Sequence, residues 1–530
     1  MNGFKLIFKF IFICLLLNVS SCYFEMPRDN SNDPDADNFT PPALSASFIP
    51  SSKSGNVPMT VHFENNSIGS IESCEWDFNN DGITDSTEQN PSYIFTSAGK
   101  YNVKLKVTSI GHYTDEKTEQ ITVSFGTPER RTISEGNEGP YTLYPADIDN
   151  DGDIDFICGY SRDNEYNNNY LNNKLSWWEN TDSGSQWIEH IIAVADETHP
   201  LFTISIHAAD VNHDGFMDIV ASLYSKDEIV WWENDGTPRD DAGGDGKSWT
   251  KHEVASNFIR ACSVYACDID GDGDIDIAGA SNGTWNSGPG IYENSEIRWW
   301  ENDGGTGTSW IEHSIKTSLC RMADVRIADI DNDGHKDIVA SVYGYIENST
   351  ATHEHSEILW FRNNDGSGGT WSENTIMPDT GPDYLRGPRD IRIADMDGDG
   401  DMDIVSAFWE DDKIVIWLND GGGIGWTRHT IDEDFFGAQS VFIADIDGDG
   451  DPDIAGASRL GDKIAWWENI GGMWNSWEEH AIDAEFTFAS SVFAADINDD
   501  SYIDLAGAAN GYYLTNAGSS LAWWSVFDID

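Results

Sequence analysis

A nine-residue acidic phrase recurs seven times between short apolar runs, and this recurrence restricts the fold more than any other feature of the chain. It begins at Asp147, Asp210, Asp268, Asp329, Asp395, Asp445 and Asp496 and follows D-x-[DN]-x-D-G-x-x-D, with "DIDGDGDID" at 268–276 as a full copy. Each copy has the same parts in order. An apolar run such as "SVFIAD" enters the phrase, and "DIAGAS" leaves it. A third run contains "WWEN" or a relative, and a fourth reads like "WIEHSI". Alternation and turn breaks make all four strands.

Four strands per repeat and seven repeats predict an all-β architecture, a seven-bladed β-propeller over 127–530. The last copy ends with "LAWWSVFDID" and lacks a fourth strand, whereas "ERRTIS" at 129–134 stands ahead of the first copy and fits that pattern. Arg131 takes the place of His190, and Ile133 that of Ile192. This strand is expected to complete the last blade and cover its edge.

So many carboxylates on one turn oppose folding unless a cation neutralises them. Calcium takes six to eight hard oxygen ligands at about 2.3–2.6 Å, and magnesium prefers a smaller octahedron that keeps its waters. Side chains at loop positions 1, 3, 5 and 9, with the carbonyl of position 7, can wrap calcium, and Gly at position 6 permits the bend. The expected ligands are Asp147, Asp149, Asp151 and Asp155; Asp210, Asn212, Asp214 and Asp218; Asp268, Asp270, Asp272 and Asp276; Asp329, Asp331, Asp333 and Asp337; Asp395, Asp397, Asp399 and Asp403; Asp445, Asp447, Asp449 and Asp453; and Asp496, Asn498, Asp500 and Asp504. The seventh loop, with Asn498 and with Ser501 in place of Gly, is the weakest. No Glu at position 12 and no flanking helices exclude an EF-hand.

The chain has 530 residues, 93 acidic against 30 basic, and a net charge of −63. Its 22 Trp mark a folded rather than a disordered acidic chain. Without basic stripes, nucleic acid is excluded as a partner. Residues 1–21 read as a signal peptide, with Lys5 and Lys9 before "FIFICLLLNV", a run too short to span a bilayer. "VSSC" resembles a bacterial lipobox, which implies acylation of Cys22 and a membrane-anchored envelope protein. Tyr23 leaves out an inner-membrane retention Asp, which favours the outer membrane and surface exposure. Residues 22–43 form an acidic linker. The other cysteines, Cys74, Cys158, Cys262, Cys267 and Cys320, show no paired framework and are expected as free thiols in a monomer.

Two resemblances follow from these phrases. Residues 44–125, with "CEWDFNNDG" and the strand "YNVKLKV", resemble the PKD domain, which implies an immunoglobulin-like sandwich acting as a spacer. Its turn, with Asp77, Asn79, Asp81, Gly82 and Asp85, also fits the acidic pattern. The seven repeats resemble the FG-GAP/VCBS family, related to the integrin α propeller, which implies a ligand face on the rim opposite the acidic loops.

The long insertions 159–174, 282–296 and 344–357 belong to that rim by strand order. So do Arg260, Arg321, Arg386 and Arg389, just before first strands. Three places before the loop stand Tyr144, His207, Tyr265, Arg326, Arg392, Phe442 and Phe493. The expected ligand residues are Arg260, Arg321, Arg326, Arg386, Arg389, Arg392, His207, Tyr265, Trp285 and Tyr292: arginines for carboxylate or sulfate, aromatic rings for sugar faces. The expected ligand is extracellular glycan, anionic polysaccharide included, or a surface protein in an adhesion or scaffold role. No catalytic set is recognisable. The enzymatic alternative is a lyase or sugar dehydratase, with His207 or Tyr265 as base and Arg326 or Arg392 neutralising a uronate.

Overall fold

The computed structural model describes residues 44–136, 139–160, 173–195, 201–238, 249–287, 291–347, 352–378, 381, 384–472, 474–511 and 519–526. The signal peptide, Cys22, the acidic linker and most of the insertion 159–174 lie outside them. Every regular element among the described residues is a strand. The described residues divide into two compact units: 44–55 with Met59–Phe95 and Gly99–Val123, and Asn56–Pro58 with Thr96–Ala98 and the described residues from Ser124 onward.

In the first region, a sheet of Phe48–Pro50, Met59–Asn65 and Ser92–Phe95 packs with a sheet of Ser54–Asn56, Thr114–Ser124, Gly99–Ser109 and Ile71–Asp77. Val103, Leu105 and Val107 alternate with polar residues and are buried. Trp76 sits between the sheets, with its ring centroid 5.1 Å from Phe48 and 5.5 Å from Phe63.

The second unit contains seven four-stranded antiparallel sheets. Their first strands, A, are Pro140–Ala146, Thr203–Ala209, Ala261–Cys267, Met322–Ala328, Pro388–Ala394, Ala438–Ala444 and Ala489–Ala495. The acidic loop leads into strand B (Asp155–Tyr160, Asp218–Leu223, Asp276–Ser281, Asp337–Val342, Asp403–Phe408, Asp453–Ser458 and Asp504–Ala509), followed by C (Lys174–Asn180, Glu228–Asn234, Ser295–Asn302, Glu357–Asn363, Lys413–Asn419, Lys463–Asn469 and Ser519–Ser525) and, in the first six sheets, D (Trp187–Val194, Trp249–Ser256, Trp310–Leu319, Trp371–Met377, Trp426–Asp432 and Trp477–Asp483). The seventh sheet takes its fourth strand from Glu129–Gly136, with Arg131 opposite Trp523 just as His190 stands opposite Trp177. Strand B is buried along its whole length in every sheet. Covered on both faces, it reads as an unbroken apolar and small-residue run rather than an alternating one.

Neighbouring sheets are joined by specific contacts. Each A strand packs beside the next, and the seventh beside the first. In four sheets the first Trp of strand C, Trp231, Trp299, Trp360 or Trp523, packs on a glycine of the following sheet: Trp231 Nε1 donates to the Gly307 carbonyl at 3.1 Å, and Trp523 Nε1 to that of Gly184 at 3.2 Å. Strand C ends in Asn in six sheets, and its amide reaches back to the loop of the preceding sheet. Asn234 donates to Ile148 at 2.9 Å, Asn302 to Val211 at 2.9 Å and Asn419 to Ile330 at 2.8 Å; Asn180, in the first sheet, donates to Ile497 of the seventh at 2.9 Å. Ser525 replaces the Asn in the seventh sheet.

The recurring histidines are structural. His190, His252, His313 and His480 stack on Trp177, Trp231, Trp299 and Trp466, and each bonds a strand-C glutamate. The five described cysteines are free thiols.

Candidate functional site

The acidic loops share one hydrogen-bond frame. The amide of position 6 donates to Oδ2 of position 1 in all seven, at 2.8–3.1 Å. The amide of position 7 donates to Oδ1 of position 5. Six loops have Gly at position 6 with positive φ, and Ser501 adopts φ of 71° in the seventh.

Position 9 does more than the pattern predicts. Asp155, Asp218, Asp276, Asp337, Asp403, Asp453 and Asp504 are fully buried, and Oδ2 of each accepts the amide of position 2. In six sheets Oδ1 also accepts the backbone N–H of the strand-C Asn. This carboxylate therefore latches the loop to strand C. Burial pushes it up, to about 8 at Asp155, Asp453 and Asp504, about 7 at Asp218, Asp276 and Asp403, and about 6 at Asp337, with the amide bonds opposing the rise.

Five loops fit a divalent cation. Ligand atoms of Asp147, Asp149 and Asp155 lie within 4.8 Å of one another, as do those of Asp268, Asp270 and Asp276, of Asp329, Asp331 and Asp333, of Asp395, Asp397 and Asp399, and of Asp445, Asp447 and Asp453. Asp331 Oδ1 and Asp445 Oδ1 are buried without a hydrogen-bond partner, as oxygens awaiting an ion would be. In the fourth loop, Arg362 already pairs with Asp331 and Asp333, at 2.6 and 2.9 Å.

The remaining two loops form no such acidic triplet among the described residues. There the amide of Asn212 donates to Asp214 at 3.1 Å, and that of Asn498 to Asp500 at 3.0 Å. The turn at Asp77 repeats the frame: Gly82 donates to Asp77, Ile83 to Asp81, Phe78 to Asp85 and Asn79 to Asp81. Lys104 Nζ lies 3.3 Å from Asp77, so a side-chain cation is already present.

A cavity of about 1370 Å³ opens among the A strands of the second unit. Arg260, Arg321, Arg326, Arg389, Arg392, His207, Tyr265, Trp285 and Tyr292 all line it. Arg386 is not among the lining residues and forms an ion pair with Asp411. The insertion 282–296 folds into a hairpin, Thr284–Asn286 with Ile291–Glu293, which carries Trp285 and Tyr292 to the wall. Part of 344–357 folds likewise, Tyr345–Glu347 with Thr352–Glu354.

Seven side chains, one from each A strand, meet in sequence around the cavity. Tyr144 lies 5.0 Å from His207, which lies 4.5 Å from Tyr265. Arg326 is 5.9 Å from the Tyr265 ring, and Arg392 is 5.9 Å from both Phe442 and Phe493. Phe493 returns to Tyr144 at 5.8 Å. Two places earlier, Asp324 and Asp390 hold the two arginines. Arg326 Nη1 donates to Asp324 at 2.6 Å and Nη2 to Asp390 at 3.3 Å, while Arg392 donates to Asp390. The same carboxylates accept the amides of Ile391 and Val441 on the next A strands. Each Asp stands two residues before its Arg on one strand, so alternation alone puts the pair on one face; the cross-links to the next A strands come only with the fold.

Burial, followed by Arg326 and Arg392, pushes His207 down to about 3. Burial pushes Tyr265 up. A weakly basic imidazole and a phenol held protonated are poor proton acceptors at neutral pH, and both inner arginines already have carboxylates.

An FG-GAP-like repeat model matches residues 147–221, 210–279, 268–340, 395–456 and 445–507, together more than half of the chain. A PKD domain model matches 39–123. Among solved structures, the PKD1 domain of Vibrio cholerae metalloprotease PrtV is 35% identical, covering 16% of this chain and 98% of its own at a TM-score of 0.14. The PKD1 domain of Vibrio anguillarum Epp is 33% identical, covering 16% and 94% at a TM-score of 0.14. BBS1N in complex with ARL6DN is 10% identical, covering 74% and 96% at a TM-score of 0.44.

Proposed function

From the premise that this chain belongs to the FG-GAP-like repeat family and carries a PKD domain ahead of its repeats, we propose that it is a glycan-binding protein of the bacterial cell envelope. The two families point to an extracellular or cell-surface binding protein. The finer reading is a seven-bladed β-propeller whose acidic loops take calcium and whose cavity takes extracellular saccharide. Acylation at Cys22 would anchor it to the outer membrane, and the PKD domain would act as its spacer.

The observation that carries the ligand reading is the cavity. Its volume of about 1370 Å³ exceeds that of an ordinary small-molecule pocket. Trp285 brings an aromatic face to its wall and is 45% exposed, open to stack on a sugar ring, while Arg260 and Arg321 lie over the ring of Tyr292 beside it. Calcium is supported by the five acidic groups and the two buried, unpartnered carboxylate oxygens. Bound there, it would neutralise the loops; the residues holding it belong to the turns, not to the cavity.

The test is retention of the full chain on a glycan array, beside Trp285→Ala. Wild type is expected to bind a defined set of oligosaccharides, and the variant to lose about tenfold or more, the size of one lost stacking contact. Failure to retain any glycan, with capture of a surface protein instead, would replace this reading with adhesion through protein contacts. Product release from a bound oligosaccharide would replace it with catalysis.

A further inference from the structure

Six arginines and three aspartates line the cavity of a chain that is otherwise heavily acidic. Their pairing is uneven. Arg326 and Arg392 are compensated by Asp324 and Asp390. The third aspartate, Asp227, accepts the backbone N–H of Arg260 at 2.7 Å. Among the described residues, Arg260, Arg321 and Arg389 form no ion pair. With 93 acidic residues against 30 basic ones, three adjacent arginines without a carboxylate need a reason.

These three stand at or just before the start of their A strands, an outer tier relative to Arg326 and Arg392 further along Met322–Ala328 and Pro388–Ala394, and aromatic rings hold them instead. Arg321 lies 4.2 Å over Tyr343 and 5.7 Å over Tyr292. Arg260 lies 5.2 Å over Tyr292, and Arg389 5.9 Å over Tyr343. Guanidinium and ring thus alternate from Arg260 to Arg389. Cation–π contact offsets part of the desolvation of an arginine but leaves its N–H fork unused. Arg260 Nη1 is buried with no acceptor, and the one side-chain bond Arg389 makes is to Tyr141 Oη at 2.8 Å.

We propose that this outer tier is an anion subsite that takes the carboxylate or sulfate of an acidic sugar unit, with Arg321 and Arg389 as its principal donors. The proposal rests on the glycan-binding reading and adds to it where the ligand's charge sits: on the outer three arginines, not on the inner two, which already hold carboxylates. An incoming anion supplies the acceptors the tier lacks, and the tyrosine faces set the guanidiniums so that little side-chain freedom is lost on binding.

The test uses the full chain on matched oligosaccharides: oligogalacturonate beside its methyl ester, and sulfated carrageenan oligosaccharide beside its desulfated form, within a wider panel paired in the same way. Wild type is expected to retain the acidic member of at least one pair type about tenfold or more over its neutral counterpart, the effect of one charge-assisted contact. Arg321→Met and Arg389→Met should bring that ratio close to one, while Arg321→Lys keeps part of it. The arm that responds identifies the group as carboxylate or sulfate. A thermal melt checks that each variant is folded, and Arg321→Lys serves if a Met variant is not. Equal retention of acidic and neutral members, lost together in Trp285→Ala, overturns the anion subsite and leaves glycan binding standing. Retention of nothing in the panel overturns both.

Discussion

Asn212 and Asn498 occupy loop position 3, where the other five loops carry Asp, and their amides bond Asp214 and Asp500 within the same turn. An amide there supplies a donor, so part of the loop's charge is satisfied without an ion. Replacing it with a carboxylate removes that bond and adds repulsion, which only a bound cation relieves. Asn212→Asp should therefore melt at a lower temperature than wild type in chelator and at an equal or higher one in millimolar calcium. Near 1 kcal/mol of change corresponds to a shift of about 1 °C in a unit this large. Calorimetric titration should also register one more tight calcium site in the variant; an unchanged count would show that position 3 does not decide occupancy. The distinction was legible in the sequence, because among the ligand positions 1, 3, 5 and 9 only position 3 separates these loops from the five that form acidic triplets. Arg362 was not legible in that way. It replaces the Glu of "WWEN", and only the fold brings it over Asp331 and Asp333.

Between sheets, the Asn that ends strand C joins two loops. Asn302 donates to Val211 of the preceding sheet and to Ile275, and its carbonyl oxygen Oδ1 accepts from Gly307 at 2.8 Å. Asn302→Ala leaves buried partners unpaired, at about 1–3 kcal/mol for each group left without a bond. The seventh sheet has Ser525 at this place, too short to reach the preceding loop. Ser525→Asn should raise the melting temperature by restoring that link, while Asn302→Ala lowers it; a neutral Ser525→Asn would mean the seam does not limit stability. The loop itself responds to pH. Without an ion, burial holds Asp155, Asp453 and Asp504 at about 8, against about 3.9 in the unfolded chain. Their native-state protons favour folding fully below about pH 4, and that contribution is lost as pH rises through about 8. A bound dication favours the ionised form instead. Chelation should thus lower the melting temperature more at pH 8 than at pH 5, and equal shifts at both would remove the loops from the stability of the fold. Strand order and the pairing of Glu129–Gly136 with Ser519–Ser525 were readable because each repeat shows the same four strands. The role of position 9 was not, since a ligand and a latch carry the same letter; burial and the two amides distinguish them.

Over the whole molecule, the formal charge of −63 opposes any acidic ligand at long range, while the cavity collects six of the arginines. The sequence placed most of these arginines on one rim from their distance to the acidic loop. It could not show which were neutralised, because Asp324 and Asp390 reach across to neighbouring strands, and Arg386 turns to Asp411. The two fields act over different distances. Repulsion from the body is carried through solvent and is screened as the Debye length falls from about 30 Å at 0.01 M salt to about 8 Å at 0.15 M. Contacts at the partly buried outer arginines act at hydrogen-bond distance and are screened less. Association with an acidic oligosaccharide should therefore speed up as salt rises through this range, the reverse of ordinary attraction between opposite charges. Above it, the affinity should fall as salt begins to weaken the contacts themselves. Stopped-flow tryptophan fluorescence across a salt series reads both limbs. Calcium held by the acidic loops would reduce the body's negative charge, so the rising limb should be shallower in calcium than in chelator at a pH where both forms stay folded. An association rate that falls steadily from the lowest salt would instead mean that the cavity's local positive field, not the charge of the body, governs the approach.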